Sequence, residues 1–133
     1  MVDIAVENTF NRMQITVLTL YMYQLPLMIV ENGFGAEDIP GPDGTIQDDY
    51  RIDYLRRHIK AVKDAIEIGG IDVLGYMVWG CIDLVSAGTG EMKKRYGLVY
   101  VDMDDEGQGS LKRSKKKSFE WYRNVILSNG ENL

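Results

Sequence analysis

Three hydrophobic patterns of two different periods follow one another in this chain, and together they restrict its fold more than any other feature. Leu27-Met28-Ile29-Val30 is a short continuous apolar run with a β-branched end, which suits a strand buried on both faces. Ile52, Leu55, Ile59, Val62 and Ile66 then recur at helical spacing on one stripe, and Gly69-Gly70 stops it. From Val73 to Trp79 the run is again apolar or aromatic, with only Gly75 interrupting. Strand, long helix and strand make a βαβ unit, so the patterns predict an α/β chain with parallel pairing across strands 27–30 and 73–79 and a helix over 49–68.

The remaining stretches punctuate this unit. Ile15 to Tyr23 is apolar without a decisive period, and Pro26 ends it. The loop from Asn32 to Asp48 holds Gly33, Gly35, Gly41, Gly44, Pro40 and Pro42; loops of this length in compact domains are functional or mobile. Asp48 or Asp49 is placed to cap the helix that follows. A second loop runs from Gly80 to Arg95. Leu98 to Val101 predicts a short strand, and Ser114 or Ser118 is placed to cap a final helix over 115–127 through Phe119, Tyr122, Val125 and Ile126.

At 133 residues the chain has material for one ordinary core. A net charge of −5 argues against nucleic acid as a partner, and the basic run Lys112 to Lys117 reads as a solvated face at a helix start. With one cysteine, Cys81, and one histidine, His58, neither an intrachain disulfide nor a zinc set can be built. No cofactor is expected, and a reducing, cytoplasmic setting fits. Ile15 to Val30 is the most lipid-like stretch, but Gln24 and Pro26 interrupt it and it falls short of the about 20 residues a membrane span needs. No basic segment precedes an apolar one at the start, so no secretory signal is expected.

Glu31 stands at the carboxyl end of the first apolar run, before a glycine-containing loop. α/β barrels and open α/β sheets place their chemistry there; pattern alone favours the plainer reading, that Glu31 is the first solvated residue after a strand. Trp79 closes the second run on the same side and is either a stacking platform for a sugar face or an ordinary rim aromatic. Ser86-Ala87-Gly88-Thr89-Gly90 is followed by Lys93, Lys94, Arg95 and Tyr96. Hydroxyls and cations on one loop can bind a phosphate monoester, and the alternative is a solvated basic turn. The loop lacks the GxxxxGK[ST] pattern of a nucleotide P-loop. His58, among Arg56, Arg57 and Lys60, reads as surface or satisfied core.

Four segments carry a resemblance to a known family: IVENGFG at 29–35, DDYRIDYLRRHI at 48–59, GYMVWGCIDLVSAGTGEMKKRYGLVYVD at 75–102 and KKSFEWYRNVI at 116–126. From Tyr23 to Ile126 the chain resembles the carboxy-terminal part of a family 1 glycoside hydrolase, of the bacterial 6-phospho-β-glucosidase branch. The resemblance implies a partial (β/α)8 TIM barrel, with strands 27–30 and 73–79 as the seventh and eighth strands and helices 49–68 and 115–127 following them. Such enzymes hydrolyse β-glycosides with retention, using a nucleophilic carboxylate and an acid/base carboxylate about 5 to 5.5 Å apart. Glu31 matches the nucleophile and Trp79 the tryptophan lining the glycone subsite. Ser86, Lys94 and Tyr96 match the phosphate-binding set, with Ser86 where relatives acting on unphosphorylated sugars carry a glutamate. The implied partner is a phosphorylated β-glucoside.

The same resemblance sets an expectation of incompleteness. The acid/base glutamate belongs to a TFNE-type motif; Thr9-Phe10-Asn11 echoes it, but Arg12 stands where the glutamate would. Residues 1–22 otherwise depart from the pattern and are set apart from a matching unit at 23–133. A barrel takes about 250 residues. The open edge and bare face of a partial one are therefore expected to be covered by self-association, by segment 15–25 or by a missing barrel portion.

Overall fold

The computed structural model describes residues 25–133. Strand β1 (Leu27–Asn32) and strand β2 (Val73–Val78) pair in parallel and are joined by helix α1 (Asp49–Glu67), as the three patterns predict. The register aligns Leu27 with Val73, Met28 with Gly75, Ile29 with Tyr76 and Asn32 with Val78, leaving Leu74 as an extra residue. β1 runs further than expected and includes Glu31.

Burial departs from the expected two-sided pattern. Leu27, Ile29, Val73 and Tyr76 pack against Val62, Ala65 and Ile71. Met28, Val30 and Met77 stay 45%, 40% and 47% exposed. A pair of strands under a single helix has only one covered face; among the described residues no element lies over the other. Beside β2 a cleft of about 470 Å³ opens between the helices, lined in part by Val73, Leu74, Ile66, Tyr122 and Ile126.

Helix α1 buries Ile52, Leu55, Ile59 and Val62, while Ile66, on the same predicted stripe, is 43% exposed where it borders that cleft. Gly70 ends the turn after the helix at φ +64°, a conformation that favours glycine. Asp48 occupies the N-cap position but makes no side-chain cap there. Its carboxylate instead accepts from the Ser118 amide at 2.9 Å and from Arg51 Nε at 3.0 Å, so it serves the first turn of the last helix, where the dipole favours an anion.

That helix, α2 (Lys117–Leu127), packs through Val125 on Leu55, Ile59 and Leu98. It begins at Lys116 as N-cap, so neither Ser114 nor Ser118 caps it as expected. The basic run before it is corrected in a second respect. Arg113–Lys115 forms strand β4, antiparallel to β3 (Val99–Val101), and Lys116 is fully buried between Asp38 and Asp83, at 2.6 and 2.7 Å. Two carboxylates draw into the core a lysine that its basic neighbours assign to solvent. Among the described residues, no helix is long and apolar enough to cross a membrane, and no group of His, Cys, Asp or Glu is arranged to hold a metal ion.

Candidate active site

The carboxyl ends of β1 and β2 stay together past the last paired residues. Trp79 N donates to Asn32 O at 2.9 Å, and the backbone of Gly33 passes so near that a Cβ there would meet the Trp79 Cβ at 3.1 Å. Asn32 is buried and its side-chain oxygen accepts from the Tyr76 hydroxyl. Burial raises the Tyr76 pKa, so this hydroxyl remains a donor. Alternation along the strand turns Glu31 the other way, and it is exposed. Among the described residues, no hydrogen bond or ion pair engages its carboxylate.

The loop after β1 is fastened to the loop after β2. Ala36 and Arg95 form an antiparallel bridge, with Arg95 N donating to Ala36 O at 2.8 Å. Arg51, from the first turn of α1, donates to Phe34 O (3.0 Å), Arg95 O (3.0 Å) and Tyr96 O (3.1 Å). Its charge is held by Asp38 and Asp48, at 3.1 and 3.0 Å. Lys116 joins Asp38 to Asp83, and Asp83 accepts from Gly97 N at 2.8 Å. These buried ions are hydrogen-bonded as well as paired, which is the condition under which such a network is tolerable. Tyr50 donates to Asp38, and burial together with that bond raises its pKa.

On this frame sit the residues read as a phosphate set. Ser86 is buried within a turn closed by Gly90 N to Ser86 O (2.8 Å) and Ser86 N to Glu91 O (3.0 Å). Its hydroxyl lies 3.3 Å from the Tyr96 hydroxyl. Lys94 is partly exposed on the same loop, with Nζ 3.1 Å from Glu91. Arg95, the third cation of the basic turn, points inward, donating to Val101 O and Met103 O at 2.9 and 2.7 Å. The structure thus joins Ser86 to Tyr96, keeps Lys94 on their loop and sets Trp79 against the Glu31 loop. No hydrogen bond or ion pair links Glu31 to the Ser86 turn among the described residues.

His58 is core: it is buried, its ring stacks at 4.0 Å on Tyr54, and Nδ1 lies 2.7 Å from Tyr54 O. Thr9 to Arg12 and the segment Ile15 to Tyr23 lie outside the described residues. Sequence reasoning missed the buried ions Asp38, Arg51, Asp83 and Lys116. They sit in loops or at helix starts, without the period that marks a core position.

Residues 4–131 match the sequence model of glycosyl hydrolase family 1. This chain belongs to glycosyl hydrolase family 1. The match begins within the segment 1–22. Among curated relatives, the chain is 61% identical over 111 residues to the aryl-phospho-β-D-glucosidase BglA of Bacillus subtilis, covering 84% of this chain and 23% of that protein. It is 59% identical over 122 residues to the 6-phospho-β-glucosidase AscB of Escherichia coli, covering 91% of this chain and 26% of that protein. Among solved structures, the family 1 β-glucosidase from Thermotoga maritima superposes with a TM-score of 0.78 at 34% identity, over 90% of this chain and 25% of that one. The chain therefore spans about a quarter of the length of the relatives it matches.

Proposed function

We propose that residues 23–133 supply the glycone and phosphate side of a retaining 6-phospho-β-glucosidase site, with β1 and β2 as the seventh and eighth strands of its barrel and residues 1–22 ahead of them. Glu31 is the nucleophile. Its carboxylate attacks the anomeric carbon as the glycosidic C–O bond breaks, forming a glycosyl-enzyme intermediate that water hydrolyses. Trp79 faces the sugar. Ser86 and Tyr96 direct hydrogen bonds to the phosphate, and Lys94 supplies charge.

The observation that supports this reading is the Ser86–Tyr96 hydroxyl pair, with Lys94 on the same loop, a loop fastened to the one that follows Glu31. A phosphate near −2 charge would be repelled by a carboxylate at position 86. Names of relatives that act on phosphorylated glucosides support the same substrate class. With Arg12 at the echoed acid position, this chain is expected to lack the acid that protonates the leaving group.

Release of 6-phosphoglucose from an aryl 6-phospho-β-glucoside tests the reaction. Alone, the chain is expected to release none; release abolished by Glu31→Gln would show that it holds its own acid. The second reading, a non-catalytic sugar-phosphate or partner-binding module, is favoured by Arg12. Calorimetric titration with 6-phosphoglucose tests the binding common to both, and equal heats from wild type and Lys94→Ala would remove Lys94 from the account.

A further inference from the structure

Lys94 does not stand free in its loop. Its Nζ is 3.1 Å from Glu91 Oε2, while Glu91 Oε1 takes Lys93 Nζ at 2.9 Å. Lys93 is held from a second side by Asp105, 3.4 Å from its Nζ, and its backbone N–H donates to Asp105 Oδ1 at 2.8 Å. The backbone carbonyl of Glu91 meanwhile receives the amide of Ser86. Glu91 thus touches the phosphate loop twice, through its backbone carbonyl at Ser86 and through its carboxylate at Lys94.

We propose that Glu91 competes with the substrate's phosphate for Lys94, and that Lys93 limits the strength of that competition by holding Glu91 when Lys94 leaves it. This rests on the assignment of Lys94 to phosphate. The geometry gives the exchange a defined course. A phosphate dianion reaching Ser86 and Tyr96 takes Lys94 from Glu91, and Glu91 retains Lys93, so no carboxylate is left without a counter-charge. The paired lysines and carboxylates, Lys93, Lys94, Glu91 and Asp105, carry no net charge before the exchange. Glu91 therefore acts as a specificity residue through Lys94: a ligand without a dianion cannot displace it, and an unphosphorylated sugar gains nothing from the lysine.

The test is calorimetric titration of the full chain with 6-phosphoglucose, with glucose as the control ligand. Glu91→Gln removes the competitor and keeps a side chain able to hydrogen-bond; it is expected to tighten 6-phosphoglucose about threefold, the scale of a partly exposed ion pair. Lys93→Ala leaves Lys94 as the cation on Glu91 and is expected to weaken 6-phosphoglucose by about the same factor. A role confined to holding the loop in shape would weaken binding in both variants, and that result overturns the proposal. Unchanged affinity in Glu91→Gln, with affinity lost in Lys94→Ala, overturns the proposal and leaves the phosphate assignment standing. Equal affinity in Lys94→Ala and wild type, or no heat from any variant with far-ultraviolet circular dichroism intact, overturns both.

Discussion

Gly35 lies against the ring of Tyr96, so close that a Cβ at position 35 would stand 2.7 Å from Cζ and 3.0 Å from both Cε atoms. The hydroxyl of the same ring is the one beside Ser86. The glycine in the loop after β1 thereby sets where the Tyr96 hydroxyl of the neighbouring loop can sit.

Gly35→Ala is accordingly expected to push the Tyr96 ring away and separate its hydroxyl from Ser86. The strain should destabilise the chain by about 1 to 3 kcal/mol, read as a lower urea midpoint, and weaken 6-phosphoglucose more than glucose. A variant with unchanged midpoint and affinity would show that the ring yields without consequence.

Lys116→Met tests the buried network. Methionine fills a similar volume but leaves Asp38 and Asp83 facing each other without their shared cation, and breaking a buried pair in this way costs about 3 to 5 kcal/mol. Urea unfolding should show that loss, a large part of the stability of an ordinary domain. A change below about 1 kcal/mol would mean that water reaches the site.

Acid should weaken the fold through exposed carboxylates that hold cations or amides. Lys93, Thr89 and Lys94 hold the Glu91 carboxyl down to about 2, and Ser110, Lys93 and Lys115 lower those of Asp102, Asp105 and Glu120. A folded-state pKa below the unfolded one gives stability that is present above the unfolded value, near 4.5 for Glu91, and is lost as pH falls toward 2. Urea midpoints measured from pH 5 to pH 2 should fall through this window, and Glu91→Gln should flatten part of the fall. An identical slope in that variant would contradict the assignment.

The sheet face that no described element covers and the cleft beside β2 predict self-association. Met28, Val30, Leu74 and Met77 form apolar surface of a kind that seldom stays bare in water. Sedimentation should give a mass above the 15.1 kDa of one chain, rising with concentration, and Met77→Lys should lower it. A clean monomer at every concentration would refute the prediction.

The βαβ core was legible because burial leaves a period: Ile52, Leu55, Ile59 and Val62 announce α1, and the apolar runs announce β1 and β2. Trp79 and the Ser86, Lys94 and Tyr96 loop were singled out by the family resemblance of the segment 75–102. What spacing could not convey was which side chains turn inward. Lys116 and Lys117 are identical neighbours, yet Lys116 is buried between Asp38 and Asp83 while Lys117 reaches the exposed Asp49. Arg95 and Lys94 diverge in the same way. Each choice depends on partners tens of residues away, as does that of Asp48, which sits where it could cap α1 but serves α2.

Arg51 grips carbonyls from both strand-end loops with one guanidinium. Neither loop can swing outward without breaking bonds that hold the other, so the two should open as a single cooperative unit. In hydrogen exchange, the bridged amides of Ala36 and Arg95 would then share one opening free energy. Spatial order in the loop after Glu31 would be inherited by the loop that carries Tyr96 at no further entropic cost.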